Sequence, residues 1–462
     1  MHPRNIYNQA PNFQQLARHY PQLKEHLISL PRGDTTIDFR NPTSQRCLND
    51  ALLHRDYGLR ITVPEDRLCP AIPNRLNYLL WIQDVLDATT EDINDAPSVK
   101  GIDIGTGSTA IYPLLGCKMR SSWSFVGTEL DPKSRACAIS NVACNSMEDR
   151  IEIFEASAGG PLLGPLSSSE GPRYEFTMCN PPFYTSAQDV LRSAEGKELG
   201  PNGVCTGAEV EMITDGGEVA FVSRMISESL SHPSACRWYT SMVGKMSSLS
   251  TIVALLREHK INNYGLTELV QGQTKRWAVA WSFFDKRLPD ELSRIPGTSS
   301  NSALLPSRGT LTQTLSAQGT PAGRIVTMLD EVLGDVERIS QRSCEFLDPI
   351  WTQSSSVAQR HPTNSRLVLA TENSWSRSAR RRRKAELACV SANETRTEST
   401  PAQHPPQSEV VTPIMTVLLS LITRPEGEVS LECRSVTGND LALFEGFFGY
   451  VSRKLEASVV ES

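Results

Sequence analysis

The run Val99-Lys-Gly-Ile-Asp-Ile-Gly-Thr-Gly-Ser-Thr-Ala110 leaves few folds open to this chain. An apolar strand enters a glycine turn, and the turn opens a helical pattern over Ala110–Leu115. Gly105 and Gly107 remove Cβ atoms where backbone must turn sharply and come close to a ligand. Further β-rich runs follow at Trp123–Gly127, Ile151–Phe154 and Tyr174–Met178, with a helical stretch at Pro132–Asn145 between them. Short strands alternating with helices predict an α/β fold: a Rossmann-like parallel sheet with helices on both faces. A helix over 74–88 precedes it. A helix at Glu218–Leu230, strands at Trp238–Val243 and Ala278–Phe284, and a helix at Ser248–His259 complete the pattern, which stops near Asp285.

Two strand ends carry chemistry. Glu129 closes the strand after the glycine turn, about twenty residues on, where a carboxylate suits a bidentate grip on ribose hydroxyls. The glycine turn alone fits a plain connection in some other α/β sheet; with its acidic partner it points to an adenosine-containing cofactor. The second strand end is Asn180-Pro-Pro-Phe183 (NPPF), after Tyr174–Met178. Each proline fixes φ and lacks an N–H, so the turn is stiff. It aims the Asn180 amide outward past the strand's carboxyl end, where open α/β sheets bind ligands.

At 462 residues the chain has length for roughly three domains by the usual prior. Apolar residues make up 39%, which predicts folded parts diluted by polar connections. The formal charge of −6 argues against non-specific coating of nucleic acid, but leaves local basic patches open. No apolar stretch approaches the ~20 residues of a membrane span, and Met1–Ala10 has no secretory apolar core. The 11 cysteines include no C-x-x-C pair, which predicts reduced thiols and no structural metal.

Together these motifs resemble a class I methyltransferase that uses S-adenosylmethionine on an exocyclic or amide nitrogen. More narrowly, the chain resembles the methyltransferase-like protein 16 family of RNA N6-adenosine methyltransferases, related to bacterial ribosomal RNA adenine methyltransferases. The resemblance is carried by Met1-His-Pro-Arg-Asn, Ile72-Pro-Asn-Arg-Leu-Asn-Tyr78, Gly101–Gly107 with Ile111–Gly116, Met178–Phe183, Gly216–Val219, Arg237–Tyr239 and Gln271–Trp277 with Ala280–Phe283, over residues 1–287. It implies cofactor contacts at Arg75, Asp103, Gly105, Gly107, Thr109, Glu129, Gly160 and Asn180. It implies catalysis by Asn180, Pro181, Pro182 and Phe183, with Asn180 Oδ1 and the Pro181 carbonyl accepting from the adenine amine and Phe183 stacking on the base. Ala156–Gly160 lacks the lysine that helps occlude the cofactor pocket in vertebrate members.

The resemblance also implies a structured RNA substrate, U6 small nuclear RNA being the recurring one, and a nuclear or partly cytoplasmic location. No metal or membrane partner is expected, and oligomeric state stays open. Residues 1–60 carry eight Lys and Arg against five acids, so they read as an RNA-binding extension or as a solvated helical cap. Arg4, Arg40 and Arg276 are the expected phosphate contacts. Tyr184–Asp215, with glycines and weak periodicity, reads as a lid over the base. The catalytic domain is expected over 61–288, a linker over 289–308, and a small α/β RNA-binding module over 309–462 with a disordered basic insertion at about 371–412. In the module, Pro321–Ile339 reads as a helix, Arg366–Ala370, Thr416–Ile422 and Glu428–Arg434 as strands, and Leu441–Leu455 as a helix. The run holding Arg380, Arg381, Arg382 and Arg383 fits RNA binding or a localisation signal equally. Rival functions are methylation of ribosomal RNA, methylation of protein glutamine, and non-catalytic RNA binding in splicing.

Overall fold

The computed structural model describes residues 1–31, 33–90, 98–167, 173–190, 207–295, 299–317, 320–336, 339–343, 364–382, 385, 412–423 and 428–461. They form two compact units: Met1–Phe284 with Leu292–Pro306, and Asp285–Glu291 with Ser307–Ser462.

The first unit begins with helix α1 (Phe13–His19), a hairpin of β1 (Leu27–Ser29) and β2 (Thr35–Ile37), and helix α2 (Pro42–Tyr57). Local sequence explains these bounds. Asn12 and Asn41 accept backbone N–H groups as N-caps, Pro42 starts α2, and Gly58 ends it in a left-handed conformation. Helix α3 (Ile72–Asp87) follows, almost wholly buried.

A seven-stranded sheet is built from β3 (Val99–Ile104), β4 (Trp123–Glu129), β5 (Ile151–Glu155), β6 (Tyr174–Cys179), β7 (Cys236–Val243), β8 (Asn263–Gln271) and β9 (Thr274–Ser282). Helices α4 (Ile111–Met119) and α5 (Pro132–Cys144) connect β3, β4 and β5, and helices Gly217–Ser229 and Met246–Glu258 flank β7. Spatial order is β5-β4-β3-β6-β7-β9-β8. The first five pair in parallel, while β9 runs antiparallel to β7 and β8. The chain therefore moves outward from β3 to β5 and then returns to β3's other side with β6. That reversal opens a crevice at the carboxyl ends of β3 and β6, the place where such sheets bind ligands. The sheet core includes Ile102, Ile104, Val126, Cys179, Tyr239 and Trp281.

Three expectations need correction here. β8 lies where no strand was expected, and β9 starts at Thr274 rather than Ala278. The two make a hairpin through Gly272 (φ 53°), and the polar residues of an edge pair mask the alternation. In the expected linker at 289–308 the described residues include a turn of helix at Asp290–Ser293 and a 3-10 turn at Ser299–Leu304. Ile295 is buried in the sheet core, Leu304 and Leu305 pack against it, and the Leu292 carbonyl accepts from Trp81 Nε1 at 3.1 Å. A few apolar side chains were enough to bind a stretch of linker-like composition.

The second unit is a five-stranded antiparallel sheet of β10 (Thr310–Leu315), β11 (Ile339–Ser343), β12 (Ser365–Ala370), β13 (Met415–Thr423) and β14 (Val429–Thr437), in the order β10-β14-β13-β12-β11. Helices Ala322–Gly334 and Leu441–Val460 pack on it through Ile325, Leu329, Phe444 and Phe447. The first of these ends at Gly334, and Ile339, expected in its last turn, opens β11 instead. Of the expected disordered insertion at about 371–412, residues 371–382 are described structure. Trp375 is buried, its ring 5.0 Å from Phe447, and one large aromatic in a polar stretch suffices to anchor it. Residues 386–411 lie outside the described residues. Among the described residues no helix is long and apolar enough to cross a membrane, and no group of three or more His, Cys, Asp or Glu is placed to hold a metal.

Candidate active site

A cavity of about 810 Å³ occupies the crevice at the carboxyl ends of β3 and β6. The glycine turn forms its floor. Gly105 (φ 68°) and Gly107 (φ 69°) are both left-handed, and a Cβ added to either would meet no atom within 4 Å. They are glycine because the turn demands positive φ, and the space they leave is open. Ala110 (φ 47°) is also left-handed, a cost of about 1 kcal/mol or more for an L-residue.

The side chains around this floor leave polar atoms unpaired. Glu129 Oε2 accepts the Gly107 N–H at 2.8 Å, and Oε1 accepts the Asp131 N–H at 2.9 Å, so the carboxylate is fixed on the cavity wall. Burial raises the pKa of Glu129, partly offset by those N–H groups. Arg75, on α3, is buried and lines the cavity; its Nη1 donates to Tyr112 Oη at 2.9 Å and its guanidinium lies 5.3 Å from the Tyr112 ring centroid. Asn180 Oδ1 is buried with no hydrogen-bond partner, as is Arg75 Nε. Its Nη1 also reaches Met242 Sδ at 3.9 Å, and a buried guanidinium bonded by a phenol and a thioether is costly unless an anion completes it. Thr109 lies on the same wall.

These observations fit an amino-acid-bearing nucleoside cofactor. Arg75 suits a carboxylate, Glu129 a ribose, and the glycine floor close passage of the ligand. Of the expected cofactor residues, Arg75, Gly105, Gly107, Thr109, Glu129, Gly160 and Asn180 line one cavity. Asp103 does not. It is fully buried beneath the turn, where Oδ2 accepts Thr106 Oγ1 at 2.7 Å and Oδ1 has no partner. Its place inside β3 turns it under the floor rather than into the cavity.

Burial pushes the Asp103 carboxyl up to about 7, opposed by the Thr106 hydroxyl and the Arg75 charge. A raised acid favours the folded state while protonated, so its contribution is full below its ordinary pKa of 3.8 and is lost as pH rises through about 7. A cationic ligand above the turn favours the carboxylate. Its affinity therefore rises between about pH 6 and pH 8, with proton release on binding. Calorimetry of S-adenosylmethionine binding in buffers of different ionisation enthalpy reads that proton, and Asp103→Asn removes both effects.

Of the NPPF residues, Asn180 and Pro182 line the cavity. Pro181 is buried behind the wall, and Phe183 is half-buried beside it, 5.3 Å from the Arg276 guanidinium. The expected lid at 184–215 is tied at both described ends. The Tyr184 N–H donates to the Met212 carbonyl and the Thr214 N–H to the Tyr184 carbonyl, each at 3.0 Å. Glu211 Oε2 accepts the Leu68 N–H at 2.9 Å. Residues 191–206, with Gly196, Gly200, Pro201 and Gly203, lie outside the described residues.

The expected phosphate contacts scatter. Arg4 bonds Asp84 and the Leu80 carbonyl on α3. Asp84 is nine residues beyond Arg75, about 13 Å along the helix, so Arg4 fastens the N-terminus rather than facing the cavity. Arg40 is exposed near α2. Arg380 lies 5.2 Å from the Tyr450 ring, Arg381 is exposed, and Arg382 pairs with Glu372 at 3.4 Å; Arg383 lies outside the described residues. Sequence reasoning missed Tyr112, which braces Arg75, and the wall residues Ser157, Pro161, Leu162, Val210 and Ile213. It also missed Arg224, whose guanidinium bonds the Gly160 carbonyl and pairs with Glu228 Oε1 at 2.9 Å. Only the tyrosine carried a signal, as a polar ring one turn from the glycines.

A model of an RNA methyltransferase family matches residues 1–285. The U6 small nuclear RNA (adenine-(43)-N(6))-methyltransferase of Schizosaccharomyces pombe is 36% identical over 91% of this chain and 95% of its own length. Human RNA N(6)-adenosine-methyltransferase METTL16 is 38% identical over 62% of this chain, which spans about half (51%) of that relative. A crystal structure of the human catalytic domain with the MAT2A 3′UTR hairpin 1 superposes with a TM-score of 0.57 at 37% identity, over 62% of this chain and 96% of that one. The human N-terminal domain in complex with SAH superposes with a TM-score of 0.52 at 36% identity, over 62% of this chain and 99% of that one.

Proposed function

Because the chain belongs to the methyltransferase-like protein 16 family of RNA methyltransferases, we propose that it methylates N6 of one unpaired adenosine in U6 small nuclear RNA, with Asn180 at the reacting centre. The enzyme is an S-adenosylmethionine-dependent RNA (adenine-N6) methyltransferase. The choice of U6 rests on the fission-yeast relative, matched over nearly its full length. One observation carries the assignment of the centre: Asn180 Oδ1 is buried, unpaired and on the wall of the cavity that Glu129 and Arg75 share.

The adenine amine is a weak nucleophile because its lone pair is delocalised into the ring. Asn180 Oδ1 and the Pro181 carbonyl accept its two N–H bonds, which favours the pyramidal nitrogen as the new C–N bond forms. Phe183 holds the base face, and the base leaves the RNA stack to reach it. S-adenosylmethionine supplies a methyl already activated on a sulfonium. The chain's own contribution is alignment, which can be worth ~7–11 kcal/mol in bimolecular steps. Arg75 and Glu129 hold the ends of the cofactor, and the stiff proline turn fixes the amide.

The test is a tritiated-methyl assay on total cellular RNA followed by nucleoside analysis. Label in N6-methyladenosine from U6 supports the proposal, label in ribosomal RNA moves the target, and label in protein alone overturns the RNA reading.

The charge of the second unit's basic run, Arg380 to Arg382, supports an RNA contact, and a localisation signal fits it equally. Replacing the three with Glu lowers U6 affinity and flattens its dependence on salt by about 0.7 of a log–log slope unit for each phosphate no longer neutralised. An unchanged slope in a filter-binding titration assigns the run to localisation.

A further inference from the structure

Phe183 has a seat that neither the NPPF motif nor the cavity accounts for. On one side of its ring lies Gly244, the residue after β7. A Cβ at Gly244 would fall 2.8 Å from Phe183 Cδ1 and 3.0 Å from Cγ, so the ring packs on bare backbone. Gly244 is not among the glycines with positive φ. Its backbone therefore accepts alanine, and the cost of a side chain there falls on the ring first and also on Glu218 Oε2, which would lie 3.0 Å from the new Cβ.

Gly244 is itself held rigidly. Glu218, 2% exposed, accepts the Gly244 N–H at 2.5 Å, the Lys245 N–H at 3.0 Å and the Ser248 hydroxyl at 2.5 Å. A buried carboxylate with three donors is a strong clamp. It fastens the start of helix Gly217–Ser229 to the turn after β7. The Arg276 guanidinium faces the ring from β9, where Trp277 pairs with Val243, one residue before Gly244. Backbone and cation thus fix the ring from two neighbouring strands.

We propose that Glu218 and Gly244 are positioning residues that set the plane of Phe183, and with it the seating of the target adenine, without touching the cofactor. The inference rests on the reading of Asn180 and Phe183 as the base site. Neither Phe183, Gly244 nor Glu218 lines the cavity that Arg75 and Glu129 share. The seat therefore acts on RNA and not on cofactor.

The experiment uses the full chain, a U6 transcript, and the same RNA with 2-aminopurine at the target adenosine. With Gly244→Ala, KM for RNA rises at least tenfold, kcat at saturating RNA stays within threefold, and S-adenosylhomocysteine affinity is unchanged. The fluorescence gain of 2-aminopurine on binding, which reports the base leaving its stack, falls by at least half. In a Phe183→Ala background, Gly244→Ala adds nothing to the loss of fluorescence gain, because the ring is gone and the Glu218 carboxylate the methyl still crowds acts on the base only through that ring. Glu218→Gln keeps side-chain volume while replacing one acceptor, and it lowers the fluorescence gain in the same direction. Wild-type KM and fluorescence gain in Gly244→Ala overturn the seat alone, as do effects that add to those of Phe183→Ala. A wild-type chain that methylates no RNA adenosine overturns the base-site reading and the seat with it.

Discussion

Asn180→Ala lowers the single-turnover rate of methyl transfer to RNA by about 10²–10³-fold, the loss typical of removing one preorganised partner from a transition state. The residue directly follows β6 at the topological switch, and its Oδ1 is buried with no hydrogen bond. An acceptor left unpaired in a folded protein costs about 1–3 kcal/mol. Deleting it therefore does not destabilise the chain, and thermal melting of Asn180→Ala stays at or above the wild-type midpoint. The combination is diagnostic. A structural asparagine would lose stability on truncation and lose activity only as folded protein is lost. Asn180→Asp keeps an acceptor oxygen but adds a charge beside a site for a cationic ligand, and it binds cofactor while transferring slowly. An Asn180→Ala enzyme within tenfold of the wild-type rate would remove the amide from the reacting centre.

The parts of this molecule that could be read beforehand are those whose signal is local. The glycine turn, the Glu129 strand end and the NPPF turn each announce themselves within ten residues, because backbone geometry there demands particular residue types. The parallel strands β3, β4 and β6 are buried along most of their length, and their apolar and β-branched residues stay legible although Lys100, Asp103, Ser124, Glu175 and Thr177 interrupt them. What could not be read depends on partners far away in sequence. Whether Ile295, Leu304 and Leu305 sit in a linker or against the sheet core is decided by the surface that receives them. Arg4 looked like a phosphate contact because nothing near it reveals that Asp84, eighty residues on, takes its guanidinium. Asp103 shares a motif with Gly105 and Gly107, yet it lies inside β3 with its carboxylate held beneath the turn by the Thr106 hydroxyl, while the glycines follow the strand and form the floor.

Glu129→Ala weakens S-adenosylhomocysteine binding by at least about 100-fold, measured by calorimetry. Two hydrogen bonds to a charged acceptor are worth about 1.5–3 kcal/mol each, and each 1.4 kcal/mol is a factor of ten. The same substitution strips the Gly107 and Asp131 N–H groups of their acceptor. The glycine turn therefore loosens as well, and the melting temperature falls even without ligand. Glu129→Gln separates the two effects. Its amide oxygen still accepts one N–H, so stability largely returns, while its NH₂ faces the other donor and ribose binding stays poor. The pH response has a defined sign. Burial raises the Glu129 pKa, so acidification protonates the carboxyl earlier than in an exposed glutamate and cofactor affinity falls with it. In the unliganded protein the same shift favours folding at low pH and is lost as pH rises through the raised pKa. Cofactor affinity and unliganded stability thus change in opposite directions over one pH window. Alanine at 129 removes the Glu129 share of that divergence and leaves the Asp103 share, and a cofactor affinity in Glu129→Ala within threefold of wild type would show that the carboxylate does not hold the ligand.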